Sequence, residues 1–331
     1  MYEKFVFIVF IHEYCNVIIM ACHSIVKTVR NQFLCDHYYK CFVILLPIVL
    51  CSVIFWFMEN ISLEKAMKAW SDAQDKIRSI CADTPIEERN EAIALCRTLH
   101  ATLKKHAPEI DYADFLAEYA QILMYDESLV QEEIDLQEEL IKIRQRQAEE
   151  NRAKYFPRYT NGLFYLGYAH LRAGNPREAM VYMEQAVENE RVISREMPEA
   201  RTNGLAVATY MLAHTYNTFA RKILAEDTYK EALIEYKALA DKTPDNKKIY
   251  EVMADITVEF AEYYWSVPHI NKALDRYWQA ESIYKELLPD ESAMAKLRGL
   301  YELMIKRYRS MGNDEQCDRL SNMLQVCTHT Q

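Results

Sequence analysis

The 331-residue chain has few of the residues that interrupt helices, with only 6 glycines and 9 prolines. The turns and bulges of a predominantly β protein need more of both. Half of the residues are hydrophobic, which allows a sizeable core and disfavours global disorder. The composition therefore predicts an all-α protein, with room for two ordinary domains or one elongated solenoid.

The chain also lacks an excess of positive charge, because 39 Lys and Arg face 49 Asp and Glu and the formal net charge is −10. Neutralising nucleic-acid phosphates requires clustered basic side chains, which this sequence does not display. We therefore expect no nucleic-acid partner. Basic or mixed-charge proteins and peptides fit the acidic chain better.

Catalytic motifs are missing as well. The sequence has no glycine-rich phosphate loop, no His-Glu-x-x-His motif and no nucleophile elbow. Paired carboxylates, such as Glu132-Glu133 and Glu149-Glu150, are more typical of solvated helical faces than of catalytic pairs. The aromatic runs Tyr263-Tyr264-Trp265 and Tyr277-Trp278 are more typical of a helical core than of a ligand box. We predict no enzymatic activity and no cofactor, with an enzyme as a distant alternative.

Residues 1–57 differ in composition from the rest, since they contain no glycine, three acidic residues and five of the nine cysteines. Within and just beyond this segment, residues 41–58 form an uncharged apolar run of a length near the lower limit for a transmembrane helix. The chain is therefore predicted to be a single-pass membrane protein if residues 1–57 are native. The alternative is a cytoplasmic protein whose translation starts at Met58, and the sequence does not decide between the two starts.

The cysteines and histidines suggest no metal site. Cys35, His37 and Cys41 are the only close cluster, and the other candidates before Cys35 are too scattered for a zinc site. The remaining cysteines are widely spaced, which predicts buried free thiols and no disulfide framework. They are Cys81, Cys96, Cys317 and Cys327.

Residues 159–191 carry the clearest pattern in the chain, that of two antiparallel helices. Gly174-Asn175-Pro176 interrupts the helical periodicity between them. Small and apolar residues mark one face of each predicted helix. These residues are Leu163, Leu166, Gly167 and His170 in the first helix, and Ala179, Met183 and Ala186 in the second.

This hairpin resembles the tetratricopeptide repeat (TPR), whose pattern is W-x2-L-G-x2-Y, then A-x3-F, then Pro, over about 34 residues. Leu166-Gly167, Gly174, Ala179 and Ala186 match the pattern. The positions of the preferred Trp, Tyr, Phe and Pro hold other residues, namely Leu163, His170, Met183 and Arg191.

Two later units show related spacing. In one unit, we assign Ala213 and Tyr216 to the first helix and Ala232 to the second. In the next unit, Ala254 and Ala273 take the corresponding places. Each unit is then seven residues longer than the repeat pattern, and the interval between units is 41 residues. Such equal lengthening is expected when hairpins stack in tandem. With the two later units lengthened, the hairpin at 159–191 is the one member of this series with the standard repeat length.

The resemblance predicts a right-handed α-solenoid of antiparallel helical hairpins, with a candidate transmembrane helix before it. We divide the chain into a hydrophobic segment (1–57), degenerate repeats (58–158), a TPR-like solenoid (159–325) and a frayed tail (326–331). The resemblance further implies a non-catalytic scaffold or adaptor that binds a protein or peptide in a concave groove. The alternative is a ligand- or peptide-sensing regulatory solenoid that acts on a partner effector.

In the repeat family, the first helix of each hairpin lines the groove. Carrying these positions over gives a candidate binding surface of Asn161, Phe164, Tyr168, Arg172, Tyr210, His214, Asn217, Glu251, Asp255, Glu259, Lys306 and Arg309. Family members that clamp a C-terminal carboxylate place Lys and Asn where this chain has Phe164 and Tyr168, so we do not expect that ligand. The partner, the oligomeric state and the choice between an extended peptide and a helix stay open.

Overall fold

A computed structural model describes residues 62–197 and 203–329 of the chain. The predicted membrane anchor at 41–58, and the cluster of Cys35, His37 and Cys41, lie outside the described residues and stay predictions. In the part that is described, none of the helices combines the length and the apolar character that spanning a bilayer requires.

The described residues form α-helices connected by short turns and contain no strand, as the composition predicts. A single 3₁₀ turn occupies Glu127–Leu129. The helices are α1 (62–79), α2 (Ile86–His106), α3 (Glu109–Leu123), α4 (Val130–Glu150), α5 (Arg152–Arg172), α6 (Pro176–Glu196), α7 (Gly204–Thr218), α8 (Lys222–Lys242), α9 (Lys247–Ser266), α10 (Ile270–Glu286), α11 (Glu291–Ser310) and α12 (Asp314–His329).

The chain divides into two compact units. The smaller unit includes residues 62–72 and Leu99–Ala107, where Trp70 and Leu103 are buried. The larger unit comprises Ala73–Thr98 and the chain from Pro108 onward. In the larger unit, consecutive helices from α3 to α12 pack against each other as hairpins.

Four hairpins of the larger unit close with the same backbone hydrogen bond. The first residue after each turn donates its N–H to a carbonyl five residues earlier: Asn175 to His170 (2.9 Å), Arg221 to Tyr216 (2.7 Å), His269 to Tyr264 (2.9 Å) and Asn313 to Tyr308 (3.1 Å). Gly174 and Gly312 adopt the positive φ angles that end a helix in this way. Ala220 does the same with φ 57°, although a side chain disfavours that conformation.

The repeat register differs from the one predicted from the sequence. Ala179, Ala225, Ala273 and Cys317 are each the fourth residue of the second helix in their hairpin, and all four are buried. The pairing of Tyr216 with Ala232 was therefore wrong, because Ala225 takes the place of the pattern's first alanine. The successive intervals between the four residues are 46, 48 and 44 residues, not 41. Ala220 gave no sign of a turn, and this caused the error.

The hairpin at 159–191 is also not the shortest member of the series. Its helices α5 and α6 each contain 21 residues, as many as α8 and more than α7 or α10. All of these hairpins exceed the standard repeat, because their helices extend beyond the pattern at the ends away from the turn. The predicted change in length at this hairpin was therefore wrong.

The core predictions are largely confirmed. Tyr263, Tyr264 and Tyr277 are buried within one aromatic-rich cluster, and Trp265 and Trp278 pack against it. The four described cysteines are free thiols, as expected, and Cys96 and Cys317 are buried. Cys327 is half-buried and Cys81 is exposed, so the prediction of burial was wrong for Cys81.

Gly167 lies where α5 packs closely against α6. A Cβ atom at this position would lie 2.9 Å from Met183 Cγ and 3.1 Å from the Met183 backbone nitrogen. Because backbone atoms of a packed helix cannot move independently, the added methyl group would force the two helices apart. The glycine at this position of the repeat pattern is therefore a packing requirement in this hairpin.

We expect Gly167→Ala to lower the free energy of unfolding by about 1–2 kcal/mol, because overpacking outweighs the better helix propensity of alanine. Gly299→Ala is the matched control, since Gly299 is an exposed helical glycine with no atom within 4 Å of its added Cβ. That variant should gain about 0.5–1 kcal/mol. Urea unfolding followed by circular dichroism measures both, and stabilisation by both substitutions would contradict the close approach.

Candidate functional site

The first helices of the hairpins are α3, α5, α7, α9 and α11, and we call the surface that they form the first-helix face. The predicted binding residues lie on four of these helices, α5, α7, α9 and α11. Side chains of neighbouring first helices bond to each other on it, for example Arg158 of α5 to Asp114 of α3 at 3.1 Å. The structure therefore brings the predicted residues onto one series of adjacent helices. It also shows that many of them already have partners within the chain.

Glu259 of α9 is the centre of one such set of contacts. Its carboxylate accepts hydrogen bonds from Tyr210 of α7 (2.6 Å) and Tyr229 of α8 (2.5 Å), and contacts His214 Nδ1 at 2.6 Å. Burial opposes ionisation of Glu259, but the bonds from these three residues outweigh it and lower the pKa of the carboxyl group. The hydrogen bond to Glu259 raises the pKa of His214. This cluster joins α7, α8 and α9.

Lys296 of α11 connects the other two predicted acids of α9. It forms ion pairs with Glu251 (2.7 Å) and with Asp255, and Tyr284 donates its hydroxyl to Asp255 at 2.5 Å. Burial works against ionisation of Glu251, but hydrogen bonds from Lys296, Ser292 and Lys248 lower its pKa to about 2. These acids therefore hold neighbouring hairpins together and offer a ligand little free charge.

Arg172 at the end of α5 likewise has an internal partner. It forms an ion pair of 2.5 Å with Glu133 of α4, and both side chains are almost fully buried. Burial raises the pKa of Glu133, and the charge of Arg172 acts in the opposite direction. The guanidinium group also lies 6.0 Å from the ring of the half-buried Tyr168. The sequence had suggested that Glu132-Glu133 is a solvated pair, which was wrong for Glu133.

Glu133 belongs to a buried polar stripe along α4 that could not be recognised from the sequence pattern. The stripe continues with Gln137, Arg144 and Gln147, which follow at helical intervals and are each less than 5% exposed. Arg144 donates to Gln147 and pairs with Asp114 of α3. The spacing alone could have shown that these residues share a face, but a polar stripe of this kind is usually solvent-exposed.

The remaining predicted residues are more accessible. Asn161, Lys306 and Arg309 are exposed, and Phe164 is half-buried. Asn217 accepts a hydrogen bond from Lys222 at 3.0 Å at the turn between α7 and α8. Of these five residues, Asn161 and Phe164 border open pockets.

One pocket, of about 340 Å³, lies between α3, α4 and α5, and we call it the α3–α5 pocket. Its charged lining residues carry both signs, and Arg78 pairs with Glu118 at 2.6 Å across it. Gln137 also lines it, and the buried Gln137 Oε1 has no hydrogen-bond partner among the described residues. The charged lining residues are Arg78, Asp114, Glu118, Glu133, Arg144 and Arg158.

A second pocket, of about 480 Å³, lies between α5, α6 and α7, and we call it the α5–α7 pocket. Its walls are mainly apolar, and include Phe164, Ile193 and Val207. Glu190 contributes a carboxylate, and Thr160 contributes a hydroxyl group that is buried without a partner in the described structure. Both pockets have volumes within the range of about 300–1,000 Å³ that is typical of ligand sites.

Three residues of α5 line both pockets: Arg158, Asn161 and Tyr165. We call these three residues the α5 ridge. A ligand that crosses the ridge can place one group in the charged α3–α5 pocket and another in the apolar α5–α7 pocket. The sequence pointed to Asn161 but not to Arg158 or Tyr165, because neither pocket can be recognised without the packing of the helices on both sides.

The described residues contain no group of three or more His, Cys, Asp or Glu side chains arranged to hold a metal ion. The perturbed carboxyl groups on the first-helix face are explained by ion pairs and hydrogen bonds between helices. Such contacts stabilise a fold as readily as they prepare a reaction.

Comparison with known proteins finds similarity in structure alone. No protein family matches the sequence, and no curated protein matches it either. BtubC (BKLC) from P. vanneervenii has a similar structure, with a TM-score of 0.56 and 18% identity over 74% of this chain and 92% of that chain.

Two further solved structures are similar. Aspartyl phosphate phosphatase F from Bacillus subtilis has a TM-score of 0.50 and 13% identity over 86% of this chain and 75% of its own. A putative kinesin light chain with TPR-like repeats from Podosopora anserina has a TM-score of 0.49 and 18% identity, covering 70% of this chain and 96% of its own. Together with the hairpins described above, the likeness to BtubC and to aspartyl phosphate phosphatase F identifies the fold of the chain as a TPR-like α-solenoid.

Proposed function

We propose that this chain is a non-catalytic scaffold that binds a segment of another protein across the α5 ridge. The observation that carries the proposal is the pair of pockets on either side of the ridge, which share Arg158, Asn161 and Tyr165. The TPR-like fold supports a protein-binding role in general. The location of the site on the first-helix face agrees with the groove that the repeat pattern implies.

The two pockets suit a peptide better than a compact small molecule. They differ in character, since one is lined by paired charges and the other mainly by apolar side chains. Successive side chains of an extended peptide can enter different pockets while its backbone crosses the ridge. The backbone also supplies N–H donors, which the unpartnered carbonyl oxygen of Gln137 requires.

The predicted residues away from the ridge have a different role in this proposal. Tyr210, His214, Glu251, Asp255 and Glu259 join neighbouring hairpins, and they fix the positions of the helices that present the site. We infer that their substitution weakens the fold and affects binding only indirectly. Asn161 is therefore a cleaner test of binding, because it is exposed and lies between the pockets.

The test compares Asn161→Arg with Ile234→Arg, which introduces the same side chain at a residue of α8 that is 67% exposed. Proteins co-purified with each variant and with the parent chain are quantified by mass spectrometry. We expect Asn161→Arg to reduce recovery of the specific partner at least tenfold, because the large cation blocks the ridge. Retention of every partner by Asn161→Arg, or an equal loss with Ile234→Arg, would contradict the proposal.

A further inference from the structure

We propose that the α5–α7 pocket binds a primary amine, in the form of a lysine side chain of the partner segment, with Glu190 as its counter-charge. The inference rests on the proposed function and adds the chemistry of one side chain of the ligand. It depends on three features of the pocket: a carboxylate that no cation of the described residues pairs with, a buried hydroxyl group without a partner among those residues, and apolar walls.

Glu190 of α6 is half-buried, and burial is the one identified cause that raises the pKa of its carboxyl group. Across the residues that the structure describes, no cation pairs with this carboxylate. Arg158 also lines the pocket, but its Nη1 donates to Asp114 of α3 at 3.1 Å. Arg191, the next residue in the chain, pairs with Glu188 and Glu231. A partly buried carboxylate without a cation favours a ligand of positive charge.

Thr160 of α5 provides the second feature. Its side chain is only 1% exposed, and Thr160 Oγ1 lacks a hydrogen-bond partner in the described part of the chain. Buried hydroxyl groups are normally hydrogen-bonded, so an unpartnered one that lines a pocket indicates a missing ligand or water. The two carboxylate oxygens of Glu190 and Thr160 Oγ1 are three oxygen acceptors on residues that line the pocket.

Lysine fits these acceptors better than arginine. An ammonium group has three donors, whereas a guanidinium group has five donors in a planar fork and would leave some unmatched among so few acceptors. The aliphatic part of a lysine side chain can also pack on apolar surface while its charged end reaches a polar group. Phe164, Ile193 and Val207 supply that surface.

Gly204, the first residue of α7, allows the carboxylate to take this position. A Cβ atom at Gly204 would lie 2.6 Å from Glu190 Oε2 and 2.7 Å from Oε1. Because the clash is with the end of a flexible side chain, Gly204→Ala would displace the carboxylate without removing its charge. This gives a second variant that acts on the position of Glu190.

The experiment uses two acetylated and amidated pentapeptides, Ala-Ala-Lys-Ala-Ala and its norleucine analogue, which lacks the ammonium group. Their affinities for the full chain are measured by NMR from the methyl signals of Ile193 and Val207. We expect the lysine peptide to bind at least tenfold more tightly than the analogue. The ratio of the affinity for the lysine peptide to that for the analogue should fall below twofold in Glu190→Gln. In Gly204→Ala it should take an intermediate value.

Glu190→Gln keeps the shape of the side chain and removes a partly buried charge, so the variant should fold, and circular dichroism verifies this. Equal affinities for the two peptides in the parent chain would overturn the inference. The same holds if the lysine preference persists in Glu190→Gln, or if neither peptide shifts the signals of Ile193 and Val207. None of these results affects the Asn161→Arg comparison, so the inference can fail while the proposed function stands.

Discussion

Arg172→Gln is expected to lower the free energy of unfolding by about 3–5 kcal/mol, the range typical when one partner of a buried ion pair is removed. The substitution leaves Glu133, whose side chain is 1% exposed, without its cation where α4 of one hairpin packs against α5 of the next. Urea unfolding at neutral pH measures the loss. The control is Arg152→Gln on the same helix, whose pair with Glu196 is more than half exposed on both sides and should contribute no more than about 1 kcal/mol.

The effect of Arg172→Gln should depend on pH. Burial already raises the pKa of Glu133 above its ordinary value of 4.5, and the loss of Arg172 removes the charge that opposes this rise. A carboxyl group with a raised pKa in the folded state stabilises the fold when protonated, and this contribution is lost as the pH rises through that pKa. The deficit of the variant should therefore be smaller at pH 5 than at pH 7.

The double variant Arg172→Gln/Glu133→Gln distinguishes a buried charge from a general packing defect. Removal of both charges should recover much of the lost stability, because the main penalty is the unpaired carboxylate. If the double variant is no more stable than Arg172→Gln at pH 7, the cost comes from packing, and the account of this ion pair is wrong.

Glu259→Gln is expected to lower the free energy of unfolding by about 3 kcal/mol, because hydrogen bonds to a charged group each contribute about 1.5–3 kcal/mol and are not additive. The substitution also replaces one carboxylate oxygen, which is an acceptor, by an amide NH₂ group, which is a donor. The side chain then offers fewer acceptors to Tyr210, Tyr229 and His214. Glu302→Gln on the exposed surface of α11 is the control and should change stability by less than about 0.5 kcal/mol. Equal effects of the two variants would contradict the role assigned to Glu259.

The stability difference between Glu259→Gln and the parent chain should be largest between about pH 4.5 and 6.5. The lowered pKa of Glu259 gives a contribution that is present above its ordinary pKa of 4.5 and is lost as the pH falls through the lowered value. The raised pKa of His214 gives a second stabilising contribution. It is fully present below pH 6.5 and is lost as the pH rises through the raised pKa. Because His214 is 40% exposed, its share should be less than about 1 kcal/mol.

Helical periodicity was enough to predict the fold, because burial of apolar side chains follows the same spacing that the sequence displays. The hairpin at 159–191 was predicted from Gly167, Gly174 and Ala179, and the structure confirms its turn and its packing. The register of the later hairpins was not predictable in the same way. There the turn depends on Ala220, and alanine carries no signal for a left-handed backbone conformation.

The candidate site was only partly predictable for a related reason. Sequence position identifies the helix and its face, and it pointed to Asn161, which is an exposed residue of α5. It does not show which polar side chains meet a partner in another hairpin, and Glu259 meets residues 30 to 49 positions away in the chain. The two pockets and the unpartnered groups of Gln137 and Thr160 arise from that same long-range packing.

Site-specific photo-crosslinking shows directly whether a partner lies on the α5 ridge. The photoreactive residue p-benzoylphenylalanine is introduced in cells at Asn161 on the α5 ridge, and separately at Ile234 on α8 as the matched exposed position. We expect a discrete crosslinked partner from position 161, which is lost when an unlabelled chain is supplied in excess, and none from position 234. A partner that crosslinks equally from both positions, or only from position 234, would show that the α5 ridge is not the binding surface.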